Sequence, residues 1–276
     1  MIKALLVLVF LVTGSIIVNG QIPSITESQA TARATAAKLD LDAAAKAYRE
    51  GNFDKALEFS ERALSEDPQN KTAPFFIARI IHREYKPGDP APANLAKARQ
   101  AIEAYKRILA TERKNEEAYK AIASIYAALK EDELQRQWIM QHAADTSVDA
   151  ERRAEAYIVL ASKDWYCSNT ITEAPGVRII KKEEPPVIKY RRPNDEASFS
   201  KARQCVQSGL SLIDLAIVLN DKNLAAWSYK MNLLAEQLKI DEMDLKPAEK
   251  AFTMKRFEEA KRRTDELSVA ETGKQP

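Results

Sequence analysis

Residues 41–70, LDAAAKAYREGNFDKALEFSERALSEDPQN, decide the fold. Gly51-Asn52 divides the stretch, because these residues tolerate the left-handed backbone at a helix C-terminus. Before the break the chain is rich in Ala, the best helix former, and a first helix is predicted over about Thr31 to Glu50. After it, Phe53, Ala56, Leu57, Ser60, Ala63 and Leu64 recur at three- and four-residue spacing. They define one face of a second helix running to about Ser65. Pro68 closes the unit because it cannot continue a helix. Ala44, Ala47, Ala56 and Ala63 are small enough for the two helices to approach closely.

At these residues the stretch resembles a tetratricopeptide repeat (TPR), a helix-turn-helix unit of about 34 residues. Gly51, Phe53, Ala56, Ala63, Leu64, Pro68 and Asn70 stand where that family has its turn glycine, aromatic, small residues and closing proline. Ala44 and Ala47 depart from the family pattern, so the first helix is degenerate. The resemblance implies an all-α, right-handed superhelical solenoid of stacked hairpins.

Outward from this hairpin the pattern restarts four times. A helix over Lys71 to Tyr85 is followed by a proline-rich loop, Lys86 to Asn94, with Asn94 as the expected cap of a helix over Leu95 to Thr111. LATERKN at its end echoes LSEDPQN, with Asn115 matching Asn70. The third unit carries Tyr119, Ile122, Ala123, Tyr126 and Leu129, then a Lys130-Glu131-Asp132 turn lacking glycine. Leu134, Trp138, Ile139, His142 and Ala143 follow on its second helix. The fourth begins with a helix over Ala150 to Lys163, interrupted by a break over 165–195. Within the break, VRII and VIKY have strand-like composition and suggest a β-hairpin. Ala197 to Leu219 resumes as helix. The fifth starts at Leu224 and turns at Asp241 to Asp244. Pro247 opens a charged last helix, which runs to about Leu267 and reads as a polar cap on the stack.

Residues 1–20 read as a signal peptide: Lys3, an apolar run from Ala4 to Val18, and a cut after Gly20. The alternative is an uncleaved membrane anchor, although the run is shorter than the roughly 20 residues spanning needs and Thr13, Gly14 and Ser15 interrupt it. Residues 21–30 are expected to be a flexible lead, 31–267 the repeat domain, and 268–276 a disordered tail. An exported address means a periplasmic or secreted protein. Lys plus Arg (42) nearly balance Asp plus Glu (40), which gives no electrostatic case for nucleic acid or an anionic membrane.

Cys167 and Cys205 are the only cysteines and flank the break. In an exported chain an even count favours a disulfide, with free buried thiols or a redox pair as the alternatives; no C-x-x-C spacing supports the last. No histidine cluster, HExxH, glycine-rich phosphate loop or Ser/His/Asp grouping is present, so no catalytic, cofactor or metal residue is assigned. His82 and His142 read as ordinary helix histidines.

In TPR proteins first helices line a concave groove that takes extended peptides or a partner helix. By the repeat register, groove candidates here are Tyr48, Arg49, Phe75, Arg79, His82, Arg83, Lys120, Ser124, Ile158, Ser228 and Asn232. Arg79, Arg83 and Lys120 would supply donors for carboxylates. Lys38, Leu41 and Ala45 do not reproduce the Lys/Asn/Arg set of the subtype that grips chaperone C-termini. The resemblance therefore implies a non-enzymatic scaffold for a protein or peptide partner. A self-associating structural module is the alternative, and an enzyme comes third. Lys181, Lys182, Lys189, Arg191 and Arg192 form a basic stretch that reads as a solvated or protein-contact arm rather than a nucleic-acid site.

Overall fold

The computed structural model describes residues 26–272. The fold is all-α, a run of antiparallel helical hairpins, with ten helices and one two-stranded sheet among the described residues. The chain divides between Ile80 and Ile81 into two compact units.

The first unit holds α1 (Glu27–Arg49), α2 (Phe53–Glu66) and α3 (Thr72–Glu84) as far as Ile80. Helix α1 starts earlier than expected. Thr26 and Gln29 form a reciprocal capping box, so residues 26–30 are the cap and first turn of the helix rather than a flexible lead. The expected signal segment, residues 1–20, and residues 21–25 of the expected lead lie outside the described residues. Gly51 takes φ 76° at the α1–α2 turn, and Asn52 caps α2 by accepting from the Lys55 amide at 3.2 Å. Ala44, Ala47, Ala56 and Ala63 are all buried, as close helix approach requires. Ala37, Ala63 and Ala73 pack with Leu41 and Leu64, while Ala47, Ala56 and Ile80 pack with Tyr48, Phe53, Leu57 and Phe76.

The second unit continues with α4 (Pro92–Thr111), α5 (Glu116–Ala128), α6 (Asp132–Ala144), α7 (Ala150–Thr172), α8 (Glu196–Leu219), α9 (Leu224–Met243) and α10 (Pro247–Thr272). Strands β1 (Arg178–Lys181) and β2 (Val187–Tyr190) pair antiparallel between α7 and α8. One turn recurs through the chain. Asn70, Asn115 and Asn223 each accept, through Oδ1, from the amide three residues on, at Ala73, Ala118 and Ala226. All three alanines are fully buried. The asparagine that closes one repeat thus caps the first helix of the next, and the alanine seats that helix against its neighbours.

Several boundaries differ from the sequence reading. Asn94 does not cap α4. It lies buried within that helix and ties down the preceding loop, accepting from the Lys86 amide at 2.8 Å and donating to the Lys86 and Asp89 carbonyls. Lys130 adopts φ 58° at the α5–α6 turn, the role a glycine usually has. Helix α7 continues through Trp165 to Thr172, so those residues are helix rather than loop. Likewise α9 runs through Asp241 to Met243, and Leu245 at φ 55° makes the turn. Helix α10 extends past Leu267 to Thr272.

Helix α8 has the length and composition of a membrane-spanning helix. It is nevertheless a core helix of this unit, burying Phe199, Ala202, Cys205, Val206, Leu212, Ile213 and Ala216. At Gly209 it comes so close to its neighbours that an added Cβ would lie 2.6 Å from Leu233 Cδ2 and 3.1 Å from Asp164 Cβ.

Candidate partner-binding surfaces

In the first unit, Tyr48 is half-buried near the end of α1. Its ring lies edge-on to Phe53 at 5.5 Å and tilted against Phe76 at 5.6 Å, and the Arg79 guanidinium stands 5.8 Å from its centroid. Tyr48 is therefore a packing residue that also carries a surface cation. Arg49 and Arg79 are exposed and Phe75 is half-buried.

In the second unit, His82 is half-buried with its ring edge-on to Tyr105 at 6.0 Å, and burial depresses its proton affinity. Arg83 is exposed beside it, and Lys120 and Ser124 are exposed on α5. On α9, Asn232 is half-buried and Ser228 donates to the Leu224 carbonyl at 2.9 Å. Ile158 is not at the surface: it lies in the core among Tyr157, Leu160, Ala161 and Leu212. The helical register put it on the first-helix face but did not show that neighbouring helices bury that part of α7.

The register did not reveal an aromatic stack between α5 and α6. Tyr119 lies flat on His142 at 3.6 Å and near-parallel to Trp138 at 6.1 Å, and Trp138 Nε1 donates to the Tyr119 carbonyl. With Leu109, Arg113, Gln141 and Asp145 they line a recess of about 200 Å³. Burial lowers the proton affinity of His142, outweighing the nearby carboxylates of Glu116 and Asp145. His142 Nε2 is 3.2 Å from Glu116 Oε1, yet the angle makes no hydrogen bond. The pair is a proximity of charge rather than a closed bond.

The fourth hairpin carries the densest chemistry. Cys167 on α7 and Cys205 on α8 are disulfide-bonded, with 6.1 Å between their Cα atoms. Both cysteines sit inside helices, so the bond staples α7 to α8 directly. Next along α7, Ser168 and, just over a turn on, Thr172 donate to Oε2 of Glu236, which is 1% exposed. The Lys239 ammonium meets Glu236 Oε1 at 2.5 Å and Glu173 Oε1 at 2.6 Å. Tyr190 donates its hydroxyl to Glu173 at 2.9 Å, and Arg178 pairs with the other Glu173 oxygen. Burial alone would raise Glu173, but the hydrogen bonds from Lys239 and Tyr190 prevail and hold it below the ordinary carboxylate range. Burial likewise opposes the charge on Lys239, and its bonds to Glu173 and Glu236 prevail and raise it. A second closed set joins α6, α7 and α8: Arg136 grips buried Asp164 through both carboxylate oxygens, and Ser208 donates to Asp164 at 2.6 Å.

These networks orient the insertion. Val177 packs with Phe199, Val206, Ile240 and Met243, and Tyr190 lies against the same cluster. The two-stranded arm therefore has a fixed base and a solvated end. A cleft of about 450 Å³ opens beside the base, lined by the end of α7, residues 174–177 and residues 191–195. Among the described residues, no group of three or more His, Cys, Asp or Glu side chains is placed to hold a metal ion.

No protein-family model matches the chain, and neither does any curated protein. Among solved structures it is similar to MamA from Desulfovibrio magneticus RS-1, at 13% identity over 83% of this chain and 97% of that one, with a TM-score of 0.39. It is also similar to a tetratricopeptide repeat protein from Parabacteroides merdae, at 13% identity, 85% and 99% coverage and a TM-score of 0.35. A third is TTC0263, a thermophilic TPR protein of Thermus thermophilus, at 16% identity, 85% and 100% coverage and a TM-score of 0.32. The hairpins of the present chain stand on their own turns, caps and packing.

Proposed function

We propose that this chain is an exported scaffold that binds another envelope or secreted protein, with a peptide or helix of the partner lying along its first helices. The observation that carries the reading is the exposure of cationic side chains on those helices, Arg83 and Lys120 in the second unit, with no ion pair among the described residues. A cation left unmatched on a rigid helix face loses little on binding a carboxylate, because the face is already ordered. The Cys167–Cys205 bond supports the export half of the reading, since such bonds persist in oxidising compartments.

The test is a pull-down from the native envelope with Arg83→Glu and Lys120→Glu together. Loss of a partner that the wild type and a Glu133→Lys control on α6 both retain would support the first-helix face. Equal recovery by all three would refute it. Light scattering on the purified protein addresses self-association, for which mass would rise with concentration.

A further inference from the structure

The arm formed by β1 and β2 carries an open strand edge. The Arg191 amide donates to the Val177 carbonyl, which fixes the hydrogen-bonding register of the hairpin. In that register Arg178 and Ile180 of β1, and Ile188 and Tyr190 of β2, turn their backbone groups outward. The Arg178 amide is taken by the Ala174 carbonyl and the Tyr190 amide faces Glu242 Oε1 at 3.4 Å. The N–H and C=O of Ile180 have no partner among the described residues. Along β2 the outward groups of Ile188 are flanked by Pro186, which has no N–H, and by Tyr190, whose amide faces Glu242, so β1 is the less obstructed edge. Ile180 also sits directly opposite Ile188, in the pair type that brings side chains closest, and the two are 56% and 45% exposed.

Charge says what covers this edge. Residues 178–192 hold six Lys or Arg against two Glu, in a chain that is otherwise near neutral. Arg178 and Arg192 are engaged by Glu173, Glu196 and Asp244. Lys181, Lys182, Lys189 and Arg191 make no ion pair among the described residues. Lysines on an edge discourage pairing with neutral or like-charged strands. A second copy meeting this edge antiparallel at Ile180 would set its own Arg178 against Lys182, a like-charge pair. An anionic bilayer would meet Glu183 and Glu184, which occupy the exposed turn at the arm's tip.

We propose that the outer edge of β1 docks an extended acidic peptide segment of a partner. Such a strand pairs with the backbone of Ile180, seats its apolar side chains on the face of Ile180 and Ile188, and turns its carboxylates to the opposite face toward Lys181, with Lys182 just past the strand's end. The lysines then act as a selectivity filter that turns away uncharged and basic strands. This surface is distinct from the first-helix face, and reversing Arg83 and Lys120 leaves it intact.

Fluorescence anisotropy with the oxidised full protein tests this, using a short labelled peptide of alternating Glu and Val. The expected result is binding that salt weakens and that a Lys–Val counterpart does not show. Lys181→Glu with Lys182→Glu is expected to weaken the Glu–Val peptide roughly tenfold or more and to admit the Lys–Val peptide. N-methylation of alternate peptide amides is expected to abolish binding, because edge pairing uses those amides. Unchanged binding of the N-methylated peptide would overturn strand pairing. Absence of peptide binding would leave the lysines as an edge guard and overturn the proposal. Capture of phosphatidylglycerol vesicles in place of the peptide, lost on the same lysine reversal, would overturn it in favour of lipid.

Discussion

Glu236 is a charge held almost entirely away from water, and everything around it answers that cost. Ser168, Thr172 and Lys239 all donate to it, so both carboxylate oxygens are satisfied. Removing one member of such a set strands the others. Glu236→Ala is expected to cost about 3 kcal/mol in urea unfolding, because Lys239 loses its closest partner in a buried setting. Gly209→Ala acts by crowding: the new methyl meets the buried Leu233 side chain at 2.6 Å, and overpacking of this kind costs about 1–3 kcal/mol. The two histidines set a pH dependence. Burial depresses both His82 and His142 in the folded protein. The unfolded chain therefore binds the extra protons first, and stability present above about pH 6.5 falls as pH drops through the folded values. Midpoints of urea unfolding measured from pH 7.5 down to pH 5 should decline, and His142→Gln should flatten that decline. A flat wild-type profile would count against the burial of these rings. At this scale the sequence displayed the echo of its asparagines but not their role: Asn94, the expected cap, does not cap, while Asn70 and Asn115 do. In the structure each of these two caps the next helix, and the fully buried alanine three residues on is the packing consequence. Lys130 and Leu245 were illegible, because neither residue type advertises the left-handed backbone it adopts.

The disulfide belongs to the scale of elements, since it joins two helices that already pack. Closing a loop of 38 residues restricts the unfolded chain by about 4 kcal/mol. Cys205→Ser is therefore expected to lower the unfolding midpoint while leaving far-UV helicity nearly unchanged. Collapse of helicity would mean that the bond, rather than α7–α8 packing, holds the hairpin. Thiol labelling of unfolded, unreduced protein should find no free cysteine, and two labels per chain would contradict the bond. The β-arm was readable from VRII and VIKY because strand propensity shows in four residues. The second half of α7 was not. Ser168, Asn169, Thr170 and Thr172 look like a loop, and they are helical because Ser168 and Thr172 face a buried carboxylate on α9. Apolar periodicity does not report a polar helix face that is buried against another polar group. Ile158 shows a different limit: the repeat register placed it in the groove, and it lies in the core.

For the whole molecule, the repeated hairpin was legible throughout and the partner was not. Caps, small-residue interfaces and turn residues are local, so the sequence displays them. A binding surface is defined by what remains unmatched after folding, and only the structure separates Arg83 and Lys120 from cations that are already paired. The claim that this chain serves as a protein scaffold through its first helices is tested most directly by site-specific photocrosslinking in the native cell. A photoreactive residue placed at Lys120 on α5 is compared with one at Glu133 on α6. The expected result is a discrete protein adduct from position 120 and none from position 133. No adduct at either position, or the same adducts at both, would contradict the first-helix face as the binding surface.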